Sequence, residues 1–261
     1  MIFTSESFTD FQIQTPCGHL FARKYNPSVD TSGKAPLILL HDSLGCVETW
    51  REFPKTLSER LQRTVIAYDR LGFGKSSALE QAPALEFISD EADIYCPLLL
   101  QHFGIKEYYL FGHSVGGAMA LIIASKSNHC LGVITEAAQA FVEEKTLEGI
   151  RRAKEAYKIP DRMERLRKFH GEKAEWVVKA WTDTWLNPVF SSWSLQKFLP
   201  LVRCPVLVIH GDQDEYGSAE FPKIISSQVS GPAEMHLLEG CGHIPHRERE
   251  GDVIALVEKF I

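Results

Sequence analysis

Short apolar runs that alternate with amphipathic segments are the feature of this sequence that most constrains its fold. Strands buried on both faces of a parallel sheet are apolar at nearly every position. Six runs have this composition, and they cover residues 36–42, 64–70, 107–114, 131–137, 205–212 and 233–239. Two more runs near the start of the chain, residues 11–15 and 19–25, are predicted to form a strand pair.

Helical patterns fill the intervals between these runs, at residues 50–62, 84–104, 116–127 and 251–261. A regular succession of strand, helix and strand predicts a doubly wound α/β sheet. Residues 139–202 interrupt this succession with helical, tryptophan-rich sequence that contains no strand-like run. We therefore predict an α/β core formed by residues 1–138 and 203–261, with residues 139–202 inserted as a helical cap.

Charge and composition argue against several classes of protein. The net charge of -6 at pH 7 does not fit a nucleic-acid-binding surface, which needs a basic face. The six cysteines form no CxxC pair, so free thiols in a reducing compartment are expected. The chain begins without a basic and apolar leader pattern and has no apolar run near the roughly 20 residues of a membrane helix. These features predict a cytoplasmic protein without a membrane partner, and they leave a homodimer open.

The segment Gly112-His113-Ser114-Val115-Gly116 carries the strongest chemical signal in the sequence. It has the pattern Gly-x-Ser-x-Gly and lies between an apolar run and a helix that begins with small residues. On a tight strand-to-helix turn, a serine is held in strained backbone with its hydroxyl exposed near the positive end of the helix. The sequence therefore predicts that Ser114 is a nucleophile.

A nucleophilic serine needs a base, and the base needs an acid that fixes its tautomer. His243 is the preferred base because it follows a glycine in the loop after the last predicted strand, and His246 is its rival. Three acidic residues follow the preceding strand and are candidates for the acid: Asp212, Asp214 and Glu215.

Five ordered stretches resemble those of the α/β-hydrolase superfamily over nearly the whole chain. They read LILLHDSLG, AYDRLGFGKSS, GHSVGG, HGDQD and GCGHIPHRE. The resemblance implies an α/β-hydrolase fold, with a mostly parallel sheet of about eight strands and a helical cap inserted after strand 6. It also assigns the acid to Asp214 and the base to His243. Some members of the superfamily place the acid at the end of the sixth strand, which makes Glu136 the alternative.

The resemblance also gives a role to the loop that contains His41, Asp42 and Ser43. These three residues cannot converge as a triad, because consecutive side chains on a strand point to opposite faces. Ester hydrolysis places negative charge on the carbonyl oxygen, and the family meets that charge with two backbone N–H groups. The pattern assigns these groups to Ser43 and Val115. Asp42 stands where the family usually has glycine. Aspartate tolerates unusual φ less readily than glycine, so the backbone of this loop is not expected to match that of the family in every detail. We hypothesise that the Asp42 carboxylate disfavours anionic substrates at the entrance.

The resemblance implies a serine hydrolase that cleaves a small ester or related carbonyl compound through an acyl-enzyme. Haloalkane dehalogenases and epoxide hydrolases use aspartate where this chain has Ser114, so both are disfavoured. Three alternatives stay open: a C–C bond hydrolase of aromatic ring-cleavage products, a prolyl aminopeptidase-like enzyme that binds a substrate amine through Glu143 and Glu144, and a non-catalytic ligand-binding member.

Aromatic residues of the predicted cap are expected to line a pocket for a small-molecule substrate. The candidates are Phe141, Trp176, Trp181 and Trp185. No metal or cofactor is expected. GFGKSS has Asp69 where a phosphate loop needs its first glycine, and the histidines at strand ends lack metal-ligand spacing.

Overall fold

The computed structural model describes residues 8–29, 31 and 33–261. The prediction about the start of the chain falls partly on residues 1–7, which lie outside this part. Eight strands form one sheet: β1 Phe8–Thr15, β2 Gly18–Tyr25, β3 Leu37–Leu40, β4 Val65–Asp69, β5 Tyr108–His113, β6 Cys130–Glu136, β7 Val206–Gly211 and β8 Ala233–Leu238.

The strand order across the sheet is β1-β2-β4-β3-β5-β6-β7-β8. β1 pairs with β2 and β2 pairs with β4 in antiparallel fashion, and every other neighbouring pair is parallel. The predicted α/β-hydrolase fold is confirmed. In parallel strands the carboxyl ends meet at one edge, so the loops after β3, β5, β6, β7 and β8 gather on the same side of the sheet.

Ten helices accompany the sheet in the described part of the chain. They are α1 Phe53–Leu61, α2 Phe87–Asp90, α3 Cys96–Phe103, α4 Val115–Ser125, α5 Glu144–Ala156, α6 Pro160–His170, α7 Ala174–Trp185, α8 Glu220–Gln228, α9 Pro245–Glu248 and α10 Glu250–Phe260. The single helix predicted over residues 84–104 is wrong in detail, since a π-helical turn, Glu91–Tyr95, separates α2 from α3. Pro97 explains the break, because it has no N–H to donate to the preceding turn.

The sheet is covered on both faces, as its apolar strands require. Alternate side chains of β3 point to opposite faces, so Leu37 and Leu39 pack in the cluster that contains α1 and α10, whereas Ile38 and Leu40 pack in the cluster that contains α4. The two apolar clusters therefore cover the two faces of the sheet.

The segment between β6 and β7 contains α5, α6 and α7 together with short 3₁₀ turns. Its one extended contact in the described part of the chain is an isolated bridge between Phe141 and Ser194. Phe73, from the loop after β4, packs with Leu166 and Val177 of these helices in a small separate cluster. The division of the chain into a core and a cap stays a prediction. Among the described residues, no helix combines the length and apolarity needed to cross a membrane.

Candidate active site

The turn between β5 and α4 holds Ser114 in a conformation that few residues other than glycine adopt, with φ 58° and ψ -124°. Two glycines allow the tight approach of strand and helix. A Cβ on Gly112 would lie 2.2 Å from the carbonyl oxygen of Gly116, and a Cβ on Gly116 would lie 2.2 Å from that of Leu40. The strained turn therefore depends on both flanking glycines, and it presents Ser114 at the start of α4.

Ser114 is the first member of a continuous chain of hydrogen bonds. Its Oγ lies 3.0 Å from Nε2 of His243, and Nδ1 of His243 lies 2.9 Å from each carboxylate oxygen of Asp214. All three side chains are buried. The structure thus brings together three residues that the sequence separates by up to 129 positions.

Backbone groups fix the carboxylate of Asp214 in place. Its Oδ1 accepts hydrogen bonds from the amides of Tyr216 at 2.7 Å and Gly217 at 3.1 Å. Burial opposes ionisation of Asp214, but His243, the nearby His210 and the amide of Tyr216 hold its pKa below the ordinary value. Burial alone would likewise lower the pKa of His243, yet the charge and hydrogen bond of Asp214 raise it. The pair therefore consists of an ionised carboxylate and a strengthened base.

The alternative acid, Glu136, and the rival base, His246, are bonded to each other. Nδ1 of His246 lies 2.5 Å from Oε2 of Glu136, and both side chains are buried. The indole of Trp50 covers the His246 ring at 4.7 Å. The structure thus contains two separate acid–histidine pairs, and it is the pair of Asp214 and His243 that reaches Ser114.

His113, the residue before Ser114, lies between the two pairs. Its Nε2 donates to the carbonyl oxygen of His243 at 2.8 Å, and burial lowers its pKa to about 4. A neutral His113 thus supports the backbone of the candidate base.

His113, Glu136 and His246 are also close enough together to be considered as metal ligands, since one ligand atom of each lies within 4.8 Å of the others. Two ligands at about 2 Å from a metal ion are normally about 3 Å apart or more. The 2.5 Å contact between Glu136 and His246 is that of a hydrogen bond. The present arrangement therefore fits a shared proton better than a metal ion.

The loop after β3 is held by buried hydrogen bonds around His41. Nε2 of His41 accepts from the amide of Arg70 at 3.0 Å, and its Nδ1 bonds to the carbonyl oxygen of Asp42 at 2.8 Å. That carbonyl also accepts from the Arg70 guanidinium at 2.8 Å. Ser43 follows in this fixed loop and lines the same cavity as Ser114, whereas Val115 is fully buried at the start of α4.

Asp42 fits this loop without left-handed backbone. Positive φ occurs at four described residues other than glycine, and they are Arg51, Gln62, Ser114 and Ala137. The space that Asp42 needs comes from Gly45, where a Cβ would lie 2.1 Å from the Asp42 carboxylate. The glycine that the family carries at position 42 is therefore not required for the geometry of this loop.

Comparisons with known proteins agree with this architecture. The sequence profile of the alpha/beta hydrolase fold matches residues 35–250. This chain belongs to the α/β-hydrolase fold family. It is similar to a proline iminopeptidase of Lactobacillus helveticus, with 22% identity over 89% of this chain and 91% of the relative. It is also similar to the serine hydrolase BPHL of Mus musculus, with 26% identity over 88% of this chain and 80% of the relative.

Among solved structures, a thermophilic esterase from Thermogutta terrifontis superposes with a TM-score of 0.72 at 20% identity, over 97% of both chains. This likeness concerns the fold.

Gln139 is a member of this α/β-hydrolase site that sequence analysis missed. Its Nε2 donates to Oγ of Ser114 at 3.0 Å, and its side chain is buried. No sequence motif marks it, but the register of the sheet explains its position. Glu136 pairs with His113 in the parallel ladder, so the residues that follow Glu136 lie beside the residues that follow His113.

A cavity of about 420 Å³ opens above Ser114 and His243. A second cavity of about 320 Å³ adjoins it, and Ser43 and Trp181 line both. Three of the predicted aromatic residues line the second cavity: Trp176, Trp181 and Trp185. Phe141 lines neither cavity and instead packs edge-to-face on Phe221 at 4.9 Å.

The two acids proposed to bind an amine lie elsewhere in this hydrolase fold. Glu143 accepts from the amide of Ser218 at 2.7 Å and from its hydroxyl at 2.8 Å, and Glu144 forms an ion pair with Arg151 at 2.5 Å. Neither acid lines the cavity above Ser114.

Proposed function

We propose that this chain is a serine hydrolase that cleaves a small ester or a related carbonyl compound through an acyl-enzyme. The observation that carries the proposal is the unbroken series of hydrogen bonds from Ser114 through His243 to Asp214, at 3.0 and 2.9 Å. This geometry satisfies the requirement that a nucleophile and its base lie within hydrogen-bond reach and that a third group orients the base.

In the first half of the reaction, Oγ of Ser114 forms a bond to the substrate carbonyl carbon while Nε2 of His243 takes the hydroxyl proton. Asp214 stabilises the imidazolium that results. The carbonyl electrons move to the oxygen, and the amides of Ser43 and Val115 are proposed to bind this oxyanion. When the tetrahedral species collapses, the bond to the leaving alcohol breaks, and His243 donates its proton to the departing oxygen.

In the second half, the oxygen of a water molecule forms a bond to the acyl carbon while His243 accepts a proton from the water. The bond between the acyl carbon and Oγ of Ser114 then breaks, and His243 donates its proton to Oγ, so that the acid product leaves and the serine hydroxyl is restored. The site places no charged side chain other than the triad within hydrogen-bond distance of Ser114 among the described residues. Acyl transfer by general acid–base and nucleophilic catalysis therefore accounts for the reaction with the residues of this chain alone.

The nearest alternative is a peptidase that removes an N-terminal proline, because several relatives are proline iminopeptidases. Commitment of Glu143 to Ser218 and of Glu144 to Arg151 argues against the predicted amine site. Carbon–carbon bond hydrolysis would use the same triad. A non-catalytic, ligand-binding role would not require Ser114, His243 and Asp214 to be aligned by hydrogen bonds. The cytoplasmic location and a homodimer stay proposals as well.

A panel of substrates tests the proposal. The purified protein is incubated with 4-nitrophenyl esters of graded acyl length, a prolyl 4-nitroanilide and a dienoate ring-cleavage product. We expect hydrolysis of at least one ester, and loss of that activity in Ser114→Ala. Turnover of the anilide or the dienoate without any ester would replace the proposed substrate class. Activity that survives in Ser114→Ala would contradict the proposed nucleophile.

A further inference from the structure

The cavity above Ser114 has an unusual charge distribution at its wall. Four arginines line it, and they are Arg51, Arg162, Arg165 and Arg247. The acidic residues in the same wall are Asp42 and Glu215. The chain as a whole carries a net charge of -6, so the surplus of positive charge is local to this cavity.

Helix α6 provides two of the arginines from one of its faces. Arg162, Arg165, Leu166 and Phe169 all line the cavity, and their spacing of three, four and seven residues places them along a single helical stripe. All charged side chains of residues 161–168 are exposed, and those of Arg162 and Arg165 also border the cavity. Met163 and His170 pack against the loop that contains Phe73.

Among the described residues, the arginines at the cavity form no ion pairs, whereas the other arginines of the cap helices do. Arg151 pairs with Glu144 at 2.5 Å, and Arg167 pairs with Glu175 at 2.8 Å. In the part of the chain that the structure describes, no carboxylate lies within 4.0 Å of the guanidinium groups that line the cavity: those of Arg51, Arg162, Arg165 and Arg247. Within the described residues, no ion pair therefore neutralises the four arginines at the cavity.

Arg51 and Arg247 add positive charge to the same cavity from segments outside α6. Burial and the charge of Arg51 lower the pKa of Arg247, whereas the charges of Asp42 and Glu136 raise it. Nearby carboxylates therefore offset part of the charge of these two arginines.

Asp42 makes the distribution of charge in the cavity uneven. Its carboxylate lies in the loop beside Ser43 and 3.9 Å from His113, close to the floor of the cavity, whereas Arg162 and Arg165 approach from α6. The hypothesis that Asp42 disfavours anionic substrates therefore applies to the region beside the nucleophile and not to the whole cavity. A negative group is disfavoured next to the nucleophile and favoured at the wall formed by α6.

We propose that the substrate carries a carboxylate remote from the scissile carbonyl, and that Arg162 and Arg165 bind it while Ser114 attacks the carbonyl. A guanidinium matches a carboxylate with two parallel hydrogen bonds, which makes arginine well suited to this recognition. The inference rests on the proposed hydrolase function and names the substrate class of that same site.

Matched pairs of esters test the inference. On the acyl side, the mono-4-nitrophenyl ester of suberic acid is compared with its neutral terminal amide. On the leaving-group side, 4-carboxyphenyl hexanoate is compared with 4-carbamoylphenyl hexanoate. In at least one pair, we expect kcat/KM for the acid to exceed that for the amide about tenfold at low salt, which corresponds to about 1.4 kcal/mol. The ratio should fall as sodium chloride screens the arginines.

Variants of α6 provide the control. Arg162→Gln combined with Arg165→Gln should reduce the acid-to-amide ratio to about one. Arg167→Gln removes one positive charge from the same helix, but Arg167 pairs with Glu164 and Glu175 outside the cavity, so the ratio should stay at the wild-type value. Because each result is a ratio measured on one preparation, partial misfolding of a variant does not alter it.

The outcomes separate the inference from the proposed function. Equal or slower hydrolysis of the acid in both pairs, with both esters turned over, would overturn the carboxylate inference and leave the hydrolase intact. A preference that survives in the double variant would also overturn it. If neither member of any pair is turned over and Ser114 does not react with a fluorophosphonate, the hydrolase proposal itself fails.

Discussion

Asp214→Asn is the substitution that most sharply distinguishes the two buried acid–histidine pairs. Oδ1 of Asp214 accepts from the amides of Tyr216 and Gly217, so the oxygen of an asparagine would stay on that side. Its NH₂ group would then occupy the Oδ2 position, 2.9 Å from Nδ1 of His243. In the wild type, Nδ1–H contacts both carboxylate oxygens, and in the variant Oδ1 alone can still accept from it while the amide N–H opposes it. We expect this opposition to favour the tautomer in which Nδ1 accepts and the ring proton lies on Nε2. A His243 protonated at Nε2 cannot accept the proton of Ser114.

The size of the effect follows from the lost charge and the wrong tautomer. A unit charge about 4 Å from the developing imidazolium contributes about 4 kcal/mol at an effective dielectric constant of about 20. We therefore expect kcat to fall by about 10³- to 10⁴-fold. The assay is hydrolysis of the best 4-nitrophenyl ester, with kcat normalised to the fraction of protein that keeps its native circular dichroism.

Glu136→Gln is the matched control, because it makes the same chemical change in the other buried pair. Glu136 bonds to His246, and His246 has no hydrogen bond to Ser114. We expect a loss of kcat below about tenfold, together with a lower melting temperature from weakening a buried hydrogen bond. A loss in Asp214→Asn below about tenfold, or a larger loss in Glu136→Gln, would refute the assignment of Asp214 as the acid.

Three further predictions concern the same site. Because Asp214 raises the pKa of His243 and only the neutral imidazole accepts a proton, kcat/KM should fall as the pH drops through a midpoint above 6.5. A profile of kcat/KM against pH with its midpoint below that value would contradict the assigned coupling of His243 to Asp214. Gly112→Ala should lower the free energy of unfolding by about 1–3 kcal/mol in urea titrations, since its Cβ would overlap the Gly116 carbonyl, and an unchanged unfolding curve would show that the turn can relax. Gln139→Glu should lower kcat by at least about 100-fold because it sets a negative charge beside Oγ of Ser114, where negative charge enters the transition state, whereas Gln139→Met should lose less than about tenfold. Similar rates for the two variants would show that the side chain at position 139 does not act on the reacting atoms.

The sequence was sufficient for the central strands, because β3 to β7 are buried on both faces and are therefore apolar at nearly every position. The run at residues 205–212, for example, appears as β7, Val206–Gly211, with every residue buried. β8 lies at the edge of the sheet and is largely exposed. The glycine pattern around Ser114 likewise predicted a strained turn, since only glycine permits backbone approach as close as that at Gly116. The helix predicted over residues 84–104 failed in detail because a hydrophobic pattern does not register the missing N–H of Pro97.

Contacts between distant segments could not be predicted from the sequence. Glu136 and His246 are 110 residues apart, so each entered as a rival for a catalytic role, and nothing local indicated that they pair with each other. Gln139 lies in an irregular segment and belongs to no motif. The arginines of α6 alternate with acids along the chain, and it takes the packing of the helix to show which of them face the cavity.

Covalent labelling of Ser114 tests the central claim most directly. The folded protein is treated with a fluorophosphonate, and intact mass and peptide mapping locate the adduct. The account predicts one adduct, on the peptide that contains Ser114, with slow or absent labelling in His243→Ala and normal labelling in His246→Ala. An unlabelled Ser114 in folded wild-type protein, or equal labelling rates in wild type and His243→Ala, would contradict it.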